Sequence, residues 1–271
     1  MSLPDRLQQD VIAAVKKSLS FNKFYQRIRP DISPFITATS TLPLKKLDDW
    51  ERLIRWAIDA SLQPSHLKRI PFNSCLMGFL SWLDVCNADG FKRERALRAL
   101  PGGAPNRFLF ALVVRRLNDW VPQVRSAARD VLPLIAELTD PEIIVDVLFI
   151  TLPYWDSWGR MADAEKRILM KIVSRNNVAR SLKRRLILST SGPVAAIFTQ
   201  AGRTGALDTF LSEISDRSVQ PSLRAKAYRC QFEHKFVWVE GMVWQWVDKA
   251  YGKQRRIPVL KERMISTARP F

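Results

Sequence analysis

Glycine is scarce in this chain, with 10 in 271 residues, too few for an all-β fold that turns tightly many times. Histidine occurs twice, as His66 and His234, without an HExxH arrangement or a cysteine partner, so no metal motif is present. The three cysteines, Cys75, Cys86 and Cys230, form no CxxC pair. They read as buried small hydrophobes in a reducing compartment, not as a disulfide framework. Apolar runs such as FLFALVV stop far short of the roughly 18 residues that a membrane span needs. The opening MSLPDRLQQDVIAAVKK carries early acids and no long apolar segment of the kind a secretory leader has. There is no GxxxxGK[ST], no GxGxxG after a strand and no nucleophile elbow, and LPGGAPN reads as a turn between two helices. These absences predict a soluble, cytoplasmic, non-enzymatic protein with no cofactor, no metal and no membrane partner.

Acids are the other shortage. Against 26 Asp+Glu stand 43 Lys+Arg, a net charge of +17. Such an excess says little about fold but favours polyanionic partners. The composition is otherwise that of an ordinary globular protein, 47% hydrophobic and 25% charged, long enough for one large domain or two small ones.

What the chain does have is helical periodicity. Leu7, Val11, Ile12 and Val15 share a stripe over about 4–18, and Leu47, Trp50, Leu53, Ile54 and Ala57 share another before Pro64. Between them RPDISPFITATSTLP reads as a link, and NSCLMGFLSWLDVCN reads as a buried helix. From there a template repeats: Arg-x-x-Ala-x-x-x-Leu fits Arg93, Ala96, Leu100 and again Arg125, Ala128, Leu132. Arg224 and Ala227 match a third time, with Gln231 in place of the leucine. Pro122 and Pro221 each precede the arginine by three residues. The arginines are spaced by 32 and 99 residues, one and three periods of a helical solenoid.

The run Asp119, Pro122, Val124, Arg125, Ala128, Leu132 resembles a HEAT-type repeat. The resemblance covers residues 86–137 well and 214–232 less closely, and it is degenerate between them. It implies an all-α solenoid of antiparallel helix pairs over 86–271, preceded by a helical N-terminal region over 1–85. It also implies that Arg93, Arg125 and Arg224, with Asp89, Asp119 and Asp216, form a structural ladder between neighbouring repeats. LPYWDSWGRMADA is similar in part to the HEAT-like alkylpurine DNA glycosylases, which carry a Trp-Asp-x-x-Asp run. Trp155 and Asp156 match its start. The run's catalytic last aspartate has no counterpart, since Arg160 stands in that region and Asp163 lies a turn further on.

A second set of cations has a different character. From Arg160 onward there are 22 Lys+Arg and 9 Asp+Glu, against 21 and 17 before it. Residues 166–185 hold eight cations and no acid. Arg167, Lys171 and Arg175 stand at i, i+4, i+8, and Arg180, Lys183 and Arg184 crowd one face of a following helix beside Arg185. Unrelieved like charges destabilise a helix, so an anion is expected to neutralise them. Further on, Trp238, Trp244, Trp246 and Tyr251 interleave with Lys249, Lys253, Arg255 and Arg256, an arrangement able to stack on bases. Val239, Val243 and Trp246 also make an ordinary apolar stripe, so core packing is the expected role of at least two of the tryptophans, and YGKQRR reads as an exposed basic turn. The expectation is a nucleic-acid-binding clamp or recruiting subunit, for DNA rather than RNA, with Arg167–Arg185 and Lys253, Arg255, Arg256 as the interface. The alternatives are a scaffold for an acidic or multi-subunit protein partner and, behind it, a divergent alkylpurine DNA glycosylase.

Overall fold

The computed structural model describes residues 4–19, 31–61 and 81–266. Thirteen α-helices and a few 3-10 turns are followed by one antiparallel two-stranded hairpin among these residues. The chain is thus mostly helical as expected, but not wholly so. His66, Cys75 and most of the expected helix over 73–87 lie outside the described residues; its end is α4 (Ser81–Asp84). The chain forms two compact units, Met1–Ile150 with Trp155–Leu169, and Thr151–Tyr154 with Met170–Phe271.

In the first unit, α1 (Asp5–Ser18) places Asp5 in its first turn and Lys16 and Lys17 in its last, matching the helix dipole. It buries Val11, Ala14, Val15 and Ser18 on one stripe. The segment read as a link instead holds α2 (Ser33–Ser40), which packs against α1. The Asp31 carboxylate accepts from Ser33 N at 2.9 Å, and Pro34 sits in the first turn, where its missing N–H costs nothing. α3 (Leu47–Ser61) turns Trp50, Ile54, Ala57 and Ile58 inward. α5 (Gly90–Arg98) is capped by Asp89, which accepts from Phe91 N. α6 (Arg107–Arg115) is buried from Phe108 to Val114. Its cap residue Asn106 accepts from Leu109 N, and its amide donates to Ile36 O and Thr39 Oγ1, tying α6 to α2.

α7 (Pro122–Leu138) starts on proline and packs along α5. The LPGGAPN loop lies against its C-terminal end so closely that a Cβ on Gly103 would stand 2.1 Å from Leu138 O. α8 (Pro141–Thr151) follows.

The repeat template has a shared local geometry. Arg93 Nη1 donates to the carbonyl of Asn87, Arg125 Nη1 to that of Asp119, and Arg224 Nη1 to that of Ser218. In each case the acceptor lies six residues before the arginine. The matching alanines, Ala96, Ala128 and Ala227, are all buried. A small residue at that point lets the neighbouring helix approach, while the arginine closes the turn before its own helix.

The second unit takes the end of α9 (Asp163–Val173), then α10 (Asn176–Leu188), α11 (Val194–Ala201), α12 (Leu211–Arg217) and α13 (Pro221–Glu233). α13 packs on α11 and α12. It ends at His234 in the left-handed region, φ 53°, and the chain leaves as β1 (Lys235–Asp248), pairing with β2 (Lys253–Met264). This hairpin corrects the all-α expectation. Val, Trp, Phe and Ile crowd its strands, residue types that favour a pleated backbone, and Gly252 at φ 65° closes the turn. YGKQRR is divided: Tyr251 and Gly252 make the turn, and Lys253–Arg256 already belong to β2.

Candidate nucleic-acid interface

The repeat arginines and the basic cluster occupy different environments. Arg93 is buried, and donates from Nε and Nη2 to both Asp119 oxygens at 3.0 and 2.8 Å, a fork-on-fork pair. Asp119 also accepts from Arg116 Nη1 and Val121 N. Burial by itself raises the Asp119 pKa, but these hydrogen bonds and the neighbouring guanidiniums outweigh it and hold the carboxyl below its usual range. Asp89 serves as a helix cap, and Asp216 accepts from Tyr228 Oη at 2.8 Å and from two serine hydroxyls.

Around Arg116 the first unit has a pocket that the sequence reading missed. Five arginines (Arg52, Arg55, Arg115, Arg116, Arg160) and three acids (Asp48, Glu51, Asp119) line about 370 Å³, with Trp120 at the edge. Arg55 and Arg116 pair with Glu51, and Arg115 with Asp48 at 2.5 Å, so most of this charge is internally braced. The separate Arg-Arg and Asp-Asp doublets in the sequence were its only signal. Burial drives the thiol of Cys86 well above the usual range and pushes that of Cys230 up to about 11, which leaves neither as a nucleophile.

The glycosylase-like stretch folds as a 3-10 turn over Trp155–Ser157. Trp155 is 1% exposed and fills the core, so it is no wall of an open cleft. Asp156 is exposed and pairs with Lys166 at 3.6 Å. Arg160 is exposed, with its backbone N–H donated to Asn118.

The basic cluster runs over two helices, and its register differs from the expected one. α9 ends at Val173, and Arg175 is the extended cap residue of α10, φ −68° and ψ 132°. Arg175 therefore does not continue the face of Arg167 and Lys171. Asn176 and Asn177 favour helix starts over interiors, and they break the run here. Arg167 belongs to the first unit and Lys171 to the second. On α10, Arg180, Arg184 and Arg185 are exposed, while Lys183 is drawn to Glu213 at 2.8 Å and lies over the Phe210 ring.

The second unit holds 19 Lys+Arg and 7 Asp+Glu, a net of +12. Each of its seven acids is engaged. Asp208 holds Arg263, Glu213 holds Lys183 and Arg217, and Asp216 holds Tyr228. Glu233 holds Arg229, Glu240 holds Arg203 and Lys261, Glu262 holds Lys235, and Asp248 caps the hairpin turn. Among the described residues, Lys171, Arg180, Lys253, Arg255 and Arg256 make no ion pair. All five are exposed to solvent.

The hairpin carries three of them. Its root is fixed: Phe236 is buried against Gly202, where an added Cβ would meet the ring at 2.1 Å. Arg263 donates to both Asp208 oxygens and to the carbonyls of Gly202 and Thr204. A bulge between Val239 and Gly241 marks the end of this anchoring. Beyond it, residues 241–247 of β1 are all exposed. Comparison of the chain with protein-family models, curated proteins and solved structures finds no match.

Proposed function

We propose that this chain is a HEAT-like stack of helix pairs that grips nucleic acid by its backbone, duplex DNA first, as a clamp or recruiting subunit. The observation that supports it best is the charge balance of the second unit. Every acid there is already bonded within the protein, while Lys171, Arg180, Lys253, Arg255 and Arg256 face solvent without a counter-charge. A polyanion fills that role with a gain from released counterions. Phosphate contacts position a protein without reading sequence, so no sequence preference is expected. The shared Arg93, Arg125 and Arg224 hydrogen bonds support the stacked-repeat part of the reading.

The test is fluorescence anisotropy of a labelled blunt duplex titrated with protein at several salt concentrations. With about five phosphates neutralised, log affinity should fall against log salt with a slope near −4.5. Changing Lys171 and Arg180 to Glu should flatten that slope and weaken binding at least tenfold. Equal, salt-insensitive binding by both proteins would sink the proposal. A scaffold for an acidic protein is the second reading, favoured by exposed Val243, Val247 and Leu260 beside the hairpin cations. It predicts no duplex affinity at physiological salt.

A further inference from the structure

The far part of the hairpin carries, beside its cations, aromatic rings that the backbone-gripping role does not use. Register and strand alternation put Met242, Trp244 and Trp246 on one face, opposite Pro258, Arg256 and Gln254. Trp244 is 63% exposed, Trp246 50%, and Tyr251 at the turn 80%. The Arg256 guanidinium lies over the Trp244 ring, 5.3 Å from its centre, and sets a charge beside it. Lys253 stands in the same relation to Tyr251, at 5.9 Å. Residues 241–259 hold four cations and one acid, and that acid, Asp248, is occupied by the N–H groups of Ala250 and Tyr251.

Two-stranded hairpins with both faces wet are marginal in water, so three exposed aromatic rings on one imply an occupant. That occupant must be anionic, to meet the cations, and flat, to meet the rings. In a duplex the base faces are already stacked on one another and only unpaired bases offer theirs. We infer that the Trp244–Trp246 face binds the unpaired bases of single-stranded DNA. Bases stack on the rings while Arg256 on the same face and Lys253 at the turn meet the phosphates; Arg255, paired with Gln245, lies on the opposite face. Of the six side chains named on this face only Gln254 offers an acceptor to a ribose 2′-hydroxyl, so RNA gains little over DNA on it. This inference rests on the polynucleotide reading of the second unit and names the strand state the hairpin takes.

The experiment compares wild type, Trp244→Ala/Trp246→Ala and Lys171→Glu/Arg180→Glu by anisotropy. Four labelled probes of equal length serve: oligo(dT), an abasic DNA backbone, oligo(U) and a blunt duplex. Circular dichroism and thermal melts check that each protein is folded. Wild type should prefer oligo(dT) to the abasic strand by about thirty-fold, the lower end for two base–aromatic stacks. The tryptophan variant should lose that preference and keep its duplex affinity within twofold. The helix variant should lose duplex affinity and keep the preference. Equal binding of oligo(dT) and abasic strand by wild type overturns base stacking while leaving the backbone reading intact. A tenfold preference for oligo(U) overturns the choice of DNA. Binding to none of the four overturns both readings. If the tryptophan variant leaves all affinities unchanged but alters sedimentation, the face is a protein contact and the inference fails.

Discussion

Arg93 and Asp119 show how one ion pair can hold two helical segments. Their side chains are 2% and 1% exposed, and the pair spans 26 residues of sequence between α5 and the turn before α7. Removing one partner strands the other's charge in the core, which costs about 3–5 kcal/mol. Asp119→Asn should therefore destabilise the protein by that order in urea melts at pH 7. The pH dependence follows from the lowered carboxyl pKa of Asp119. A depressed folded value contributes stability above the unfolded value, near 3.9, and loses it as pH falls through the folded value. The gap between wild type and variant should be full at pH 6–7 and shrink below about pH 4. A constant gap down to pH 2.5 would show that the loss comes from packing, not ionisation. A single sequence reveals the arginine template, but not which acid each arginine meets. Asp89, four residues before Arg93, only caps its own helix.

At the scale of elements, the hairpin tests whether its root or its strands hold it in place. Asp208 is 1% exposed at its side chain and receives Arg263 twice and Ser266 twice. Asp208→Ala should leave Arg263 held only by backbone carbonyls and loosen the root, at a cost of about 3 kcal/mol. Read by hydrogen exchange, the amides around Phe236 and Arg263 should exchange roughly a hundredfold faster, with α12 and α13 little changed. Unchanged exchange at the root would mean that Phe236 against Gly202 suffices alone. The helices α1, α3, α5 and α7 were legible because their apolar residues recur at helical spacing and caps or prolines mark their starts. α2 was hidden by Pro34, which reads as a link but sits in a helix's first turn. The hairpin was hidden because Val239, Val243 and Trp246 also fit a helical stripe. The period-2 pairs Phe236, Trp238 and Trp244, Trp246, with Gly252 between two β-rich runs, were the competing signal. The basic face of 167–175 was misjudged for a related reason. Spacing is informative only while one helix continues, and Asn176 begins another.

For the whole molecule the open issue is whether net charge or local placement governs binding. The chain carries +17, with +12 in the second unit, and any strongly basic protein attracts polyanions to some degree. Two variants of equal net charge separate these causes. Arg217→Gln/Arg229→Gln/Lys235→Gln removes three cations that are paired with Glu213, Glu233 and Glu262. Such exposed pairs contribute little to stability, so the fold should survive their loss. Lys171→Gln/Arg180→Gln/Arg255→Gln removes three that make no ion pair among the described residues. Each phosphate contact adds about 0.9 to the salt slope on duplex DNA. The second variant should therefore bind with a slope shallower by about 2.7, and the first should keep the wild-type slope with a modest uniform loss of affinity. Equal losses would mean that the acids and cations act as one diffuse field, and the placement of Lys171, Arg180 and Arg255 would carry no function. A larger loss in the first variant would move the contact surface to α12 and α13, where Arg217 and Arg229 lie.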